Sequence, residues 1–107
     1  MSTTKQIEKI FHRPANPGMV GDGFRVYNYF PNGYAIRGRL SPFLMRDFNP
    51  AFDFGKSDKP RGVDVHPHKG FETVTIAYKG SVEHYDSSGN SGVINPGDVQ
   101  WMTAGAG

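Results

Sequence analysis

The sequence predicts an all-β domain made of short antiparallel strands, arranged as a barrel or a sandwich. Its aromatic content is high, with eight Phe, five Tyr and one Trp among 107 residues, and bulky rings suit the inner face of a sheet. Fourteen Gly and eight Pro divide the chain into short segments, which is typical of many strands joined by turns. We find no stretch with helical spacing of apolar residues over more than two turns. The length argues for one small domain.

The first part of the chain is predicted to form a hairpin after a turn-rich start. Residues 1–12 could form a first strand or a short helix, and residues 14–23 are predicted to be turns because Pro, Gly, Asn and Asp dominate them. Residues 24–30 alternate between two faces, which predicts a strand. Pro31-Asn32-Gly33 is a turn signal, so residues 34–40 are predicted to be the returning strand.

The rest of the chain is predicted to alternate between short strands and compact turns. A short apolar piece at 43–48 precedes a long loop at 49–61. Turn residues then recur at 79–80, 87–90 and 95–98. The predicted strands that follow the long loop are 63–68, 71–78, 82–86, 92–94 and 99–103.

Composition excludes several classes of function. The net charge is only +2 and the basic residues are scattered, so direct binding to nucleic acid is not expected. Cysteine is absent, which excludes disulfides and thiolate metal sites and leaves His and carboxylates as metal ligands. We see no signal peptide and no apolar run long enough to cross a membrane, so we expect a cytoplasmic protein.

The sharpest chemical signal is the tripeptide His66-Pro67-His68. In a strand, residues two apart point to the same face, so both imidazoles would project side by side and could bind one ion. Imidazole suits Fe, Zn, Cu or Ni. Pro67 cannot donate a ladder hydrogen bond, which predicts an edge strand or a local irregularity. Alternatively, the two histidines could be neighbours on a surface without any role, and two ligands alone do not make a tight site.

The surroundings of this pair are similar to the two cupin motifs. The first motif is matched by His66, His68, Glu72 and Gly80. The second motif is matched by Gly97, Thr103 and Gly105, with Thr103 where proline is usual. Longer stretches resemble the pirin family more specifically: HPHKGFETVT at 66–75, EHYDS at 83–87, GNSG at 89–92 and NPGDVQWMTAG at 95–105.

The resemblance to pirins implies a protein two to three times this length, with two cupin barrels face to face. Residues 1–107 would then be a partial N-terminal pirin-type cupin domain, an antiparallel, jelly-roll-like β-barrel that is incomplete at its C-terminal edge. We expect its final strands and any second cupin domain to be supplied by the remainder of its own chain, or a second copy of the chain to complete the barrel.

The resemblance also implies one divalent metal ion. Iron is the expected metal, with zinc, nickel, copper and manganese as alternatives. In the family pattern the ligands are the two histidines of the first motif, here His66 and His68, and a His and a Glu from the end of the second motif. That second pair would fall beyond Gly107. Because each lost ligand weakens a metal site, the chain alone is expected to bind metal poorly.

Three further residues are candidates for supporting the metal or lining its pocket. Glu72 could be a ligand or base, as in some other cupins, or a carboxylate that supports the site from outside. His84 is predicted to be a hydrogen-bonded structural histidine, and Gln100 could line the metal cavity. Trp101 shares a face with Val99 and Thr103, which predicts packing in the core, with lining of a pocket as the second alternative.

The resemblance leaves several functions open. One is quercetin 2,3-dioxygenase activity, in which the metal would bind a deprotonated flavonol and activate it toward oxygen. A second is a metal-dependent module that binds regulatory or metabolic proteins. A third is a fragment without activity of its own, and for that reason we expect no turnover from the isolated chain.

Overall fold

The structure is a computed structural model that describes residues 2–32 and 38–107. Within those ranges the secondary structure consists of seven β-strands, every pairing is antiparallel, and there is no helix. None of the described segments therefore provides a helix that could cross a membrane. The chain divides into two compact units, Met1–Val63 and Asp64–Gly107.

The first unit contains a three-stranded sheet in the order β1-β2-β3. Its strands are β1 (Gly18–Val20), β2 (Phe24–Phe30) and β3 (Arg46–Phe48). The central strand carries four aromatic residues, and its Tyr27 is the most buried residue of this sheet at 6% exposed. The guanidinium groups of Arg13 and Arg25 lie over the Tyr27 ring, at 4.6 and 5.5 Å from its centroid. Cation–π contacts of this kind stabilise a fold by roughly 0.5–1 kcal/mol each at exposed sites.

A long loop joins β3 to the end of the first unit and is held by aromatic and backbone contacts. Phe52 and Phe54 form an edge-to-face pair with ring centroids 4.8 Å apart. Arg25 lies 4.7 Å from the Phe52 centroid and Arg61 lies 5.3 Å from the Phe54 centroid. At the end of the loop, the Asp22 amide donates to the Gly62 carbonyl (3.0 Å), and the Gly62 amide donates to the Asp22 carboxylate (2.8 Å).

The second unit consists of two two-stranded sheets. One pairs β4 (Glu72–Ile76) with β7 (Val99–Thr103), and the other pairs β5 (Val82–Tyr85) with β6 (Ser91–Ile94). Side chains that donate to or accept from the backbone close the turns, as expected for Asx-type turns. Asp86 accepts from the Ser88 and Asn90 amides, and Asp98 accepts from the Asn95 amide at 2.9 Å.

The two faces of the β4–β7 sheet differ in exposure. Ile94 and Ala77 are buried in this unit, at 3% and 8% exposed, and alternate residues of both strands are half-buried. The opposite face presents large apolar side chains to solvent, and we call it the outer apolar face: Val74, Ile76, Val99 and Trp101.

The predicted all-β, antiparallel fold class is confirmed, while several individual elements are corrected. Strands β2 and β7 have the predicted bounds, and β4, β5 and β6 lie within two residues of theirs. No strand forms at 63–68, because Pro67 cannot donate to a ladder and Gly70, at φ +85°, turns the chain just after the histidines. The prediction for this segment was therefore wrong.

Three predictions for the first unit also change. Strand β1 lies inside the segment predicted to be turns, and residues 2–12 form neither a strand nor a helix. Only Arg46–Phe48 of the piece predicted at 43–48 is a strand. Of the strand predicted at 34–40, residues 34–37 lie outside the described residues, and 38–40 belong to a turn.

Candidate metal centre

His66 and His68 lie next to each other in an irregular segment just before β4. Their ring centroids are 4.6 Å apart, and the ring planes are inclined at 83°. The pair therefore meets as predicted, although the segment is not a strand, because an extended chain keeps residues two apart on the same side. His66 is exposed and His68 is half-buried.

The hydrogen bond made by His66 fixes which ring nitrogen carries the proton. His66 Nδ1 lies 2.7 Å from the carbonyl oxygen of Asp64. A carbonyl oxygen can only accept, so a neutral ring carries its proton on Nδ1 and leaves the lone pair of Nε2 free. Metal-binding histidines have this arrangement, since their second nitrogen usually donates to a carbonyl or a carboxylate.

The environment of His68 favours its neutral form. Burial lowers the pKa of His68, and the neighbouring charge of His66 lowers it further. The ring of Phe71 contributes to this burial, with its centroid 5.3 Å from that of His68 in an edge-to-face contact. A neutral imidazole is the form that binds a metal ion, so the lowered pKa of His68 favours binding of a transition-metal ion.

The backbone around His68 is tied to the end of β7. The Phe71 amide donates to the His68 carbonyl (3.2 Å), and the Phe71 carbonyl accepts from the Ala104 amide (3.3 Å). The Gly70 amide donates to the Gly105 carbonyl at 3.0 Å. These bonds continue the β4–β7 ladder past its last regular pair and bring residues 104–105 alongside the turn that follows His68.

Glu72 lies at the first position of β4 and bridges to β7. Its two carboxylate oxygens accept from the Trp101 indole N–H and from the Thr103 hydroxyl, both at 2.9 Å. The prediction that Trp101 packs in the core was wrong, since the side chain is 67% exposed on the outer apolar face. Alternation correctly placed Trp101 with Val99, but it does not say which face of a sheet is buried.

His84 and Gln100 contact each other across the two sheets of the second unit. The Gln100 amide nitrogen lies 2.8 Å from His84 Nδ1, in agreement with a hydrogen-bonded structural histidine. A side chain at Gly92 would place its Cβ 3.2 Å from His84 Nε2, so glycine leaves room for this ring. Both residues line an open recess of about 420 Å³ that also includes Trp101.

Within the described ranges, His66 and His68 are not joined by a third His, Asp or Glu in a cluster that could hold a metal. In the described part of the chain, the candidate donors at this site are therefore the two imidazoles. Sequence reasoning missed Asp64, which acts through its backbone carbonyl, and Phe71, which shields His68. Every residue has a backbone carbonyl oxygen, so the sequence gives no sign of the role of Asp64. Phe71 could have been noticed, because it is an aromatic residue three positions after the histidine pair.

Comparison with known proteins shows the family of this chain. The family model described as Pirin matches residues 23–107. The chain belongs to the pirin family. Its pirin-type stretches fall in both sheets of the second unit and in the histidine segment before them.

Named relatives of this pirin-family chain include bacterial, plant and animal proteins. A Pseudomonas aeruginosa protein provisionally named a quercetin 2,3-dioxygenase is 54% identical over 94 residues, which cover 87% of this chain and 32% of that protein. A Solanum lycopersicum pirin-like protein is 52% identical over 101 residues (94% of this chain, 31% of the relative). Human Pirin is 49% identical over 69 residues (64% and 22%).

A solved structure supports the fold of this chain. A quercetin 2,3-dioxygenase from Acinetobacter baumannii superposes with a TM-score of 0.78 at 52% identity, covering 87% of this chain and 32% of that one. The pirin-family chain has the antiparallel cupin fold, although its described strands do not close a barrel. It spans about a third or less of the length of the curated relatives it matches.

Proposed function

We propose that residues 1–107 are the N-terminal, metal-carrying cupin domain of a pirin-family dioxygenase that acts on a flavonol-type substrate. The observation that carries this proposal is the hydrogen bond from His66 Nδ1 to the Asp64 carbonyl, which leaves Nε2 available beside the ring of His68, 4.6 Å away between centroids. The names of the bacterial relatives, both quercetin 2,3-dioxygenases, supply the substrate class.

His66 and His68 would hold one divalent ion, for which iron is the first candidate and zinc, nickel, copper or manganese are the alternatives. When bound, the ion supplies Lewis-acid chemistry that lowers the pKa of a coordinated hydroxyl group. The residues of this chain orient the ligands: Asp64 holds the ring of His66, and Phe71 shields His68 from water. By the resemblance, the remaining ligands would be a His and a Glu supplied by the remainder of the full-length protein.

A metal titration tests the first part of this proposal. Nickel(II), or iron(II) without oxygen, is titrated into the full-length protein and followed by calorimetry, and we expect one ion at the His66–His68 site of each chain. Removal of either ligand in His66→Ala or His68→Ala should weaken binding by more than about tenfold, since even the outer partners of metal ligands contribute roughly 10–100-fold.

The matched control is His12→Ala, which removes an imidazole from the first unit and should bind the ion like the unchanged protein. Equal affinities for His66→Ala, His68→Ala and His12→Ala would contradict the metal site.

Oxygen uptake tests the second part. The full-length, iron-loaded protein is supplied with quercetin, and consumption above that of free iron supports a dioxygenase. Tight metal binding without oxygen uptake would contradict the flavonol reaction and favour a metal-dependent binding module instead.

A further inference from the structure

The carboxylate of Glu72 joins the start of β4 to two residues of β7. Glu72 is directly opposite Thr103 in the register, and its carboxylate accepts from both Thr103 and the indole of Trp101 at 2.9 Å. Both oxygens are thus committed to donors on the neighbouring strand. We call this arrangement the Glu72 bridge.

The Glu72 bridge lies where the regular ladder ends and the irregular path to His68 begins. Glu72 and Thr103 form the last regular pair of β4 and β7. Beyond it, the strands are joined through the Phe71 carbonyl and the Ala104 amide at 3.3 Å, a long bond, and through Gly70 and Gly105 at 3.0 Å. The bridge therefore adds two side-chain bonds at the point where the backbone pairing becomes irregular.

The position of His68 depends on the same few residues. Phe71 directly precedes Glu72 along the chain, and its ring contacts the His68 ring while its amide donates to the His68 carbonyl. A shift of the Glu72 backbone away from β7 would move Phe71, and a moved Phe71 would release the imidazole. Because the bridge is exposed to solvent, its contribution to overall stability is small, so its main effect is on local geometry.

We infer that Glu72 is a positioning residue for the metal ligand His68, acting through its bonds to Trp101 and Thr103 and the contact of Phe71. This inference rests on the proposed metal-binding function, and it assigns to Glu72 the role of bridging strands rather than of binding the ion. A substitution can test the hydrogen bonds of the bridge separately from the negative charge of Glu72. A glutamine at position 72 could accept from the Trp101 indole and donate to the Thr103 hydroxyl, since a hydroxyl both donates and accepts.

The experiment measures, by titration, the nickel(II) affinity of three variants and of the unchanged protein. Glu72→Ala removes the bridge and should weaken binding by about tenfold, the lower end of the effects measured for residues that orient metal ligands. Glu72→Gln removes the charge but keeps both hydrogen bonds and should bind like the unchanged protein. Glu83→Ala, on the exposed face of β5, removes the same charge elsewhere and should also leave the affinity unchanged.

A second measurement needs no metal. In NMR spectra of the metal-free protein, the close contact between the His68 and Phe71 rings gives nuclear Overhauser effects, which should persist in Glu72→Gln and weaken in Glu72→Ala. Retained ring contacts in Glu72→Ala, or a Glu72→Gln variant as impaired as Glu72→Ala, would overturn the inference. Absence of metal binding in the unchanged protein would refute the metal site, while the ring contacts would still decide whether Glu72 positions His68.

Discussion

The two units of the chain are ordered by different kinds of contact. In Met1–Val63, arginine side chains stack on aromatic rings and a long loop is fastened to the β1–β2 turn by the backbone of Gly62. In Asp64–Gly107, short strands pair in register and carboxylates close the turns between them. The contacts of Arg25 with Phe52 and of Asp22 with Gly62 join residues far apart in sequence, whereas the carboxylates that close the turns of the second unit bind near neighbours. Local signals therefore predict the second unit far better than the first.

The largest effect should come from the close backbone approach in the first unit. A Cβ at position 23 would lie 2.6 Å from the Gly62 nitrogen, so Gly23→Ala must push the end of the loop away from the β1–β2 turn. We expect a loss of about 1–3 kcal/mol, as for overpacked sites, together with faster hydrogen exchange in β1 and β2. Protection in β4 and β7 should stay unchanged.

Gly18→Ala provides the control for this prediction. Nothing lies within 4 Å of a Cβ at position 18, so this substitution should change stability by less than about 0.5 kcal/mol. If Gly23→Ala were equally neutral, or if it also loosened β4, the distinction between the two units would fail.

A smaller effect is expected from the stacking of Arg25 between Tyr27 and Phe52. Arg25→Gln removes the cation from both rings and should cost about 1 kcal/mol, since exposed cation–π contacts contribute ~0.5–1 kcal/mol each. Limited proteolysis should then cut the loop at 49–61 faster. Lys56→Gln makes the same change of charge within that loop and should leave the cleavage rate unchanged. Equal cleavage rates for the two variants would contradict a stacking role of Arg25.

The smallest effect concerns the turn between β5 and β6. Hydrogen bonds from the Asn90 backbone amide and side chain lower the pKa of Asp86, and the Ser88 amide adds to them. A lowered pKa means that the carboxylate stabilises the folded turn at neutral pH, and that this contribution is lost as the pH falls through the lowered value. An NMR titration of the Asp86 carboxyl group should give a pKa below the usual aspartate value.

Two substitutions sharpen this prediction. Asn90→Ala keeps the backbone bond but removes the side-chain bonds, so the pKa of Asp86 should rise part of the way to normal. Ser88→Ala keeps the amide that donates to Asp86 and should not change it. A normal pKa in the unchanged protein would show that these bonds are absent in solution.

The sequence predicted strands where alternation and turn residues agree, as in β2 and β7. It missed β1 because three residues between turn signals become a strand only through pairing with β2, which no local pattern records. It also could not tell that the face carrying Trp101 is exposed, since alternation separates two faces without saying which is covered. Of the candidate site, the meeting of the two histidines follows from their spacing. The tautomer of His66 does not, because it depends on a backbone carbonyl.

The exposed position of Trp101 makes the tryptophan fluorescence of the protein easy to interpret. It is the only tryptophan among the 107 residues, so the indole emission of the whole chain comes from one ring on the outer face of β7. With 67% of its surface open to water, that ring should emit at long wavelength. Any polypeptide that settles on this face would shift the emission to the blue, which gives a spectroscopic view of this sheet without any added label.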